Sequence, residues 1–176
     1  MLCNFYICVM LKTILQTIFY FFLIIVVFVL SLYSSYLLPY PFENINLVII
    51  FLIIVLGLYG SGNIVWAAFL FGVLMDLYSE LPFGIFTFSL TISFLLVYWL
   101  YYEFFANKSI WAVATIAVVS VVLFRIFYTI FIIFNGSKIK LTLFTYYSWE
   151  LLFTTILTFS LYFVLEKFFT RFKLLK

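Results

Sequence analysis

Histidine is absent from this 176-residue sequence, and cysteine occurs only as Cys3 and Cys8. Without imidazole there is no histidine zinc site, no histidine-ligated haem, no Ser-His or Cys-His nucleophile and no histidine general acid or base. Both cysteines precede the first long apolar run and form neither a disulfide framework nor a CxxC metal knuckle, so they read as incidental thiols. Charge is scarce as well, at 9% of residues against about 25% in an ordinary soluble domain. The net charge of +3 is too small for a nucleic-acid footprint. No cofactor and no nucleic-acid partner is expected.

Apolar side chains fill the gap, at 69% of residues, with 25% aromatic. A soluble domain of this size leaves too much surface exposed to hide so many of them. Lipid as solvent removes that conflict, and about 20 helical residues cross a bilayer core. Apolar runs cover 13–38, 45–59, 64–79, 85–102, 110–134 and 144–165, followed by a basic tail at 166–176. The runs are apolar at consecutive positions, which excludes the alternation of a membrane barrel. The first run is longer than a signal-peptide core and lacks an Ala-x-Ala site, so it reads as an uncleaved span. The sequence therefore predicts an all-α, polytopic integral membrane helix bundle of about six transmembrane helices, forming a single domain over 1–176. The second and third runs are short and joined at Gly60-Ser61-Gly62-Asn63, so 45–78 reads as two thin spans, with a re-entrant hairpin as the alternative.

Basic residues set the expected orientation. With six spans, Lys12, Lys108, Lys167, Arg171, Lys173 and Lys176 share one side, and Lys138 and Lys140 the other. Both termini are therefore expected in the cytoplasm. Trp66, Trp111 and Trp149 fall near span ends, where amphipathic rings favour the interface.

Three ionisable residues interrupt the runs: Asp76, Arg125 and Glu150. At 1.5 Å per residue they lie about 5–10 Å, roughly 13 Å and roughly 9 Å below the outer surface. A charge at that depth needs a partner or an escape to the headgroups. The three are expected to form an intramembrane charge cluster in which Arg125 pairs with Asp76, Glu150 or both, fixing helix packing or lining a polar pocket. Thr154 and Thr158, one turn apart, are expected to serve packing, beside Thr155.

Between the third and fourth runs the sequence reads Gly72-x-x-x-Asp76-x-x-Ser79-x-x-Pro82-x-Gly84. Gly72 and Asp76 share a helix face, the glycine admitting a neighbouring backbone beside the carboxylate. This pattern resembles the rod shape-determining protein MreD family, as does the wider layout in which Pro41 leads into a short apolar run. The resemblance implies a non-enzymatic subunit of the bacterial cell-elongation complex in the cytoplasmic (inner) membrane. It implies an MreC-like membrane partner and, indirectly, MreB and the RodA–penicillin-binding-protein synthase, in support of lateral peptidoglycan synthesis. It also implies a fold like the S component of energy-coupling-factor transporters, with structural or partner-binding roles for Gly72, Asp76, Pro82 and Gly84.

The alternative is such an S component itself, binding a vitamin-like ligand near Asp76, Arg125 and Glu150. Against it, the first run carries no Ala-x-x-x-Ala docking motif. An intramembrane enzyme is disfavoured because histidine and a paired-aspartate motif are both missing.

Overall fold

The computed structural model describes residues 2–40, 42–104, 110–136 and 142–173. Pro41, Lys108, Lys138, Lys140 and Lys176, on which part of the sequence reading rests, lie outside them. Every regular element among the described residues is helical: α1 (Leu2–Leu37), a 3-10 turn (Phe42–Asn44), α2 (Leu47–Tyr59), α3 (Asn63–Tyr78), α4 (Ile85–Phe104), α5 (Ile110–Phe134) and α6 (Thr142–Lys173). Four of these are long and apolar enough to cross a membrane: α1, α4, α5 and α6. At 13 and 16 residues, α2 and α3 are shorter.

The helices overrun the apolar runs at both ends of the chain. α1 starts at Leu2 rather than near residue 13, and α6 continues to Lys173 through most of the stretch read as a tail. Polarity marks where a chain leaves lipid, whereas a helix stops at a breaker or a cap. Neither the Lys12-Thr13 step nor 166–173 contains glycine or proline, so nothing there ends a helix.

α2 is apolar on every side, as suits a helix at the centre of a bundle. Val48, Ile49, Leu52, Ile53 and Leu56 are buried in it, and it touches α1, α3, α5 and α6. Gly57 lets the ring of Tyr162 in α6 lie against it, since a Cβ there would meet that ring at 2.8 Å. The helix ends at Gly60, whose φ of 61° permits the left-handed cap that bonds its N–H to Leu56 O at 2.8 Å. The following turn lies against Tyr98 and Tyr101, in the last turns of α4. α2 and α3 therefore form an antiparallel pair whose tip reaches the far end of α4.

α3 and α4 make the closest helix pair. A Cβ on Gly72 would sit 2.5 Å from Thr87 Cα and 3.1 Å from Phe86 O, both backbone atoms that cannot swing aside. The backbone of α4 thus crosses α3 at Gly72. Around this contact Phe71, Leu90, Phe94, Val97, Ile116, Ala117, Val121 and Phe124 join one apolar core with α2.

The Gly72→Ala variant is expected to lose about 1–3 kcal/mol of stability through forced separation of α3 and α4. At Gly62 a Cβ would make ordinary contact at 3.5 Å with Tyr98, so Gly62→Ala serves as a near-neutral control. Unfolding of both variants by denaturing detergent in micelles measures the difference.

Candidate functional site: a polar layer at one end of the bundle

The N-termini of α2 and α4 lie at the same end of the bundle, with the C-terminus of α3 and the Glu150 region of α6. A helix start presents N–H groups with no partner of their own, and burial makes each one costly to leave open. At the N-cap of α4 stands Gly84, with φ 107°, a backbone conformation that disfavours a side chain. Its carbonyl accepts the first helical bond from Phe88 N, but it has no side chain to cap the next N–H groups.

Asp76 supplies the missing acceptor from the neighbouring helix. Its Oδ1 accepts from Phe86 N at 2.9 Å, and its Oδ2 from Thr87 N at 2.9 Å and from the Thr87 hydroxyl. The negative carboxylate also faces the positive end of the α4 dipole. Gly72 makes this possible one turn earlier, by letting α4 approach closely enough for Asp76 to reach it. Ser79 closes the exit of α3, its hydroxyl donating to Asp76 O and its N–H to Met75 O. Pro82 is exposed in the turn between the helices. The motif is thus a helix crossing, a cross-helix cap and a turn, in that order.

A second junction is built on Asn46, which caps α2 by accepting from Ile49 N at 3.2 Å. Its Nδ2 donates to Glu150 Oε1 at 3.2 Å, and its backbone N–H to the Thr154 hydroxyl at 3.3 Å. The other carboxylate oxygen, Glu150 Oε2, receives the Arg125 Nε–H in an ion pair. Glu150 is 1% exposed and Arg125 25%. The guanidinium lies over the ring of Tyr147 at 4.5 Å and beside those of Phe124 and Tyr128. Rings around a partly buried cation stabilise it by about 0.5–2 kcal/mol. Asn46, Arg125 and Glu150 thereby tie α2, α5 and α6 together.

The expected cluster of three charges is therefore a pair and a separate cap. Arg125 meets Glu150, whereas Asp76 forms no ion pair with Arg125. Its oxygens are taken by the N–H groups of α4, and what links the two sites is aromatic: Phe86 packs on Tyr128 at 5.1 Å. Thr154 and Thr158 are fully buried, and Thr158 bonds back to Thr154 O at 2.6 Å. Asn46, Thr87 and Tyr147 escaped the sequence reading. An Asn just ahead of an apolar run is the usual sign of an N-cap and marked Asn46. Nothing in the sequence marked the other two.

No buried side-chain nitrogen or oxygen among the described residues lacks a hydrogen-bond partner. Nor do those residues bring together a set of acidic or thiol groups fit to hold a metal. Two open grooves run along α4, of 360 and 280 Å³, lined by Leu95, Trp99 and Tyr102 and by Val97, Phe104 and Ile116 among others. Neither receives Asp76, Arg125 or Glu150.

These features define a polytopic helical membrane protein whose internal polar groups serve its own helix ends. The sequence model of one family, the rod shape-determining protein MreD, matches residues 15–172. The chain belongs to that family. No curated protein and no solved structure matches it.

Removing one member of the ion pair is expected to cost more than removing both. Arg125→Leu leaves Glu150 buried and uncompensated, at about 3–5 kcal/mol, and adding Glu150→Leu recovers most of that loss. Asp76→Ala, which opens two N–H groups of α4, costs about 1–3 kcal/mol for each. Micellar unfolding of the single and double variants reads both effects.

Proposed function

We propose that this rod shape-determining protein acts in the bacterial inner membrane as a non-enzymatic scaffold of the cell-elongation complex. In this reading its helix faces hold an MreC-like membrane partner and, through that partner, MreB and the RodA–penicillin-binding-protein synthase of lateral wall growth. One observation carries the reading beyond family membership. The charges within the apolar runs, Asp76, Arg125 and Glu150, are turned inward, onto a helix start and onto each other, while most large side chains exposed along the helices are apolar or aromatic. Chemistry or ligand capture would need polar groups left open; lateral assembly needs faces. For the same reason the charged residues contribute to function through helix placement.

The proposed topology puts both termini in the cytoplasm and takes α2 and α3 as two thin spans. The Asn46, Asp76 and Glu150 layer then lies in the outer half of the bilayer. Exposed aromatic rings fall at both ends of this arrangement, with Trp66, Trp99, Tyr102 and Trp111 at the cytoplasmic end. Tyr40, Tyr78, Phe134 and Tyr146 are exposed at the other.

The test is genetic and biochemical. Loss of the gene in a rod-shaped host is expected to give round cells, restored by the wild-type chain. Tagged chain is expected to co-purify with an MreC-like protein, and Gly72→Ala or Asp76→Ala to weaken both rescue and co-purification. Rods that persist without the gene contradict the proposal.

A further inference from the structure

The bundle is not equally tall on all sides. The candidate membrane spans in α1, α5 and α6 are 24 residues each, or about 36 Å. α3 is apolar only from Ile64 to Tyr78, about 22 Å, between exposed Asn63 and exposed Glu80. The candidate span in α4, Ile85–Phe104, is 20 residues, about 30 Å, with exposed Glu103 in its last turn. Two exposed carboxylates, Glu80 and Glu103, thus bracket the α3–α4 face at opposite ends. α2 is shorter still, but most of it is covered by the other helices.

The side chains on this face suit lipid rather than a helix. Of the small residues of α3, Ala68 and Gly72 are buried, Ala67 is partly buried against the core, and Gly72 is spent on the crossing with α4. A helix partner would be met by small residues that allow backbones to approach. The face instead presents Trp66, Phe69 and Leu77 on α3, with Phe88, Leu95 and Trp99 on α4, all exposed. Trp66 and Tyr78 stand at the two ends of α3, 12 residues or about 18 Å apart, where interfacial rings anchor a helix. A hydrocarbon core of about 30 Å exceeds the apolar length of α3 by about 8 Å.

We propose that the α3–α4 face is a thin side of the molecule, against which the bilayer narrows, so that it selects phospholipids of short acyl chain. The α5 side takes lipid of full thickness. A short apolar stretch draws the bilayer thinner at a cost of fractions of a kcal/mol per Å, and shorter chains remove that cost. The inference rests on the membrane placement of the chain but not on its partners in cell elongation.

The four tryptophans allow each side to be read separately. In the full chain, Trp→Phe changes leave Trp66, Trp99 or Trp111 as the single fluorophore. Each variant is reconstituted into phosphatidylcholine vesicles with monounsaturated chains of fourteen to twenty-two carbons, mixed with a brominated lipid that quenches on contact. Relative affinity at Trp66 and Trp99 is expected to fall at least about twofold from the shortest to the longest chain, with no such fall at Trp111. In the Glu80→Leu, Glu103→Leu double variant the optimum at Trp66 and Trp99 moves to longer chains. The same chain-length dependence at all three positions overturns the inference, as does an optimum that the double variant leaves unmoved. Quenching at Trp111 with none at Trp66 and Trp99 means that protein covers the face, and overturns it too. An absence of quenching at all three contradicts the membrane placement itself.

Discussion

The start of a helix inside a low-dielectric environment leaves backbone N–H groups that water cannot reach, and each must find its acceptor elsewhere in the chain. Two helices of this bundle, α2 and α4, begin at the same buried end, and each is answered by a side chain with a second task. Asp76 caps α4 from α3, so satisfying the helix start also docks α3 onto α4. Asn46 caps α2 and reaches Glu150, so the same act ties α2 to α6. Gly72 follows from this arrangement, because a Cβ there would push Thr87 away from the carboxylate it needs.

The Arg125–Glu150 pair completes the layer and shows how charge is tolerated here. Glu150 is almost fully buried, yet its two oxygens are divided between Asn46 and Arg125. The pair is neutral as a unit, and the guanidinium is sheltered by three aromatic rings. Burying an ion pair is weak evidence for stability, because desolvation offsets much of the attraction. What the pair supplies is register: α5 and α6 align where the two side chains meet, and Asn46 fixes α2 against both. With the polar groups so occupied, the outer surface is left to large apolar and aromatic side chains. That surface suits a rod shape-determining membrane protein.

Much of this was legible in the chain. The apolar runs located all six helices, because a helix in lipid must be apolar along its length. The Gly72-x-x-x-Asp76 spacing placed a small residue and a carboxylate on one face, and the contact with α4 lies on that face. The ends of α1 and α6 were less legible, because the boundary between lipid and water leaves no mark on a backbone that continues unbroken. The division of the three charges was not legible at all. Depth along a helix is a one-dimensional quantity, and it placed Asp76, Arg125 and Glu150 at similar levels without saying which way each faces.

Composition and periodicity alone determined that this chain is a helical membrane protein, since no other solvent suits so apolar a sequence. They also required each charge inside an apolar run to find a partner or reach the headgroups. Only the tertiary structure decided which groups answer them. Asp76 goes to the backbone of α4 and Glu150 to Arg125 and Asn46, because partner choice depends on the rotation and crossing of whole helices. Those are set by the close approach at Gly72 and by the packing of α2 at the centre, which no single segment of sequence contains.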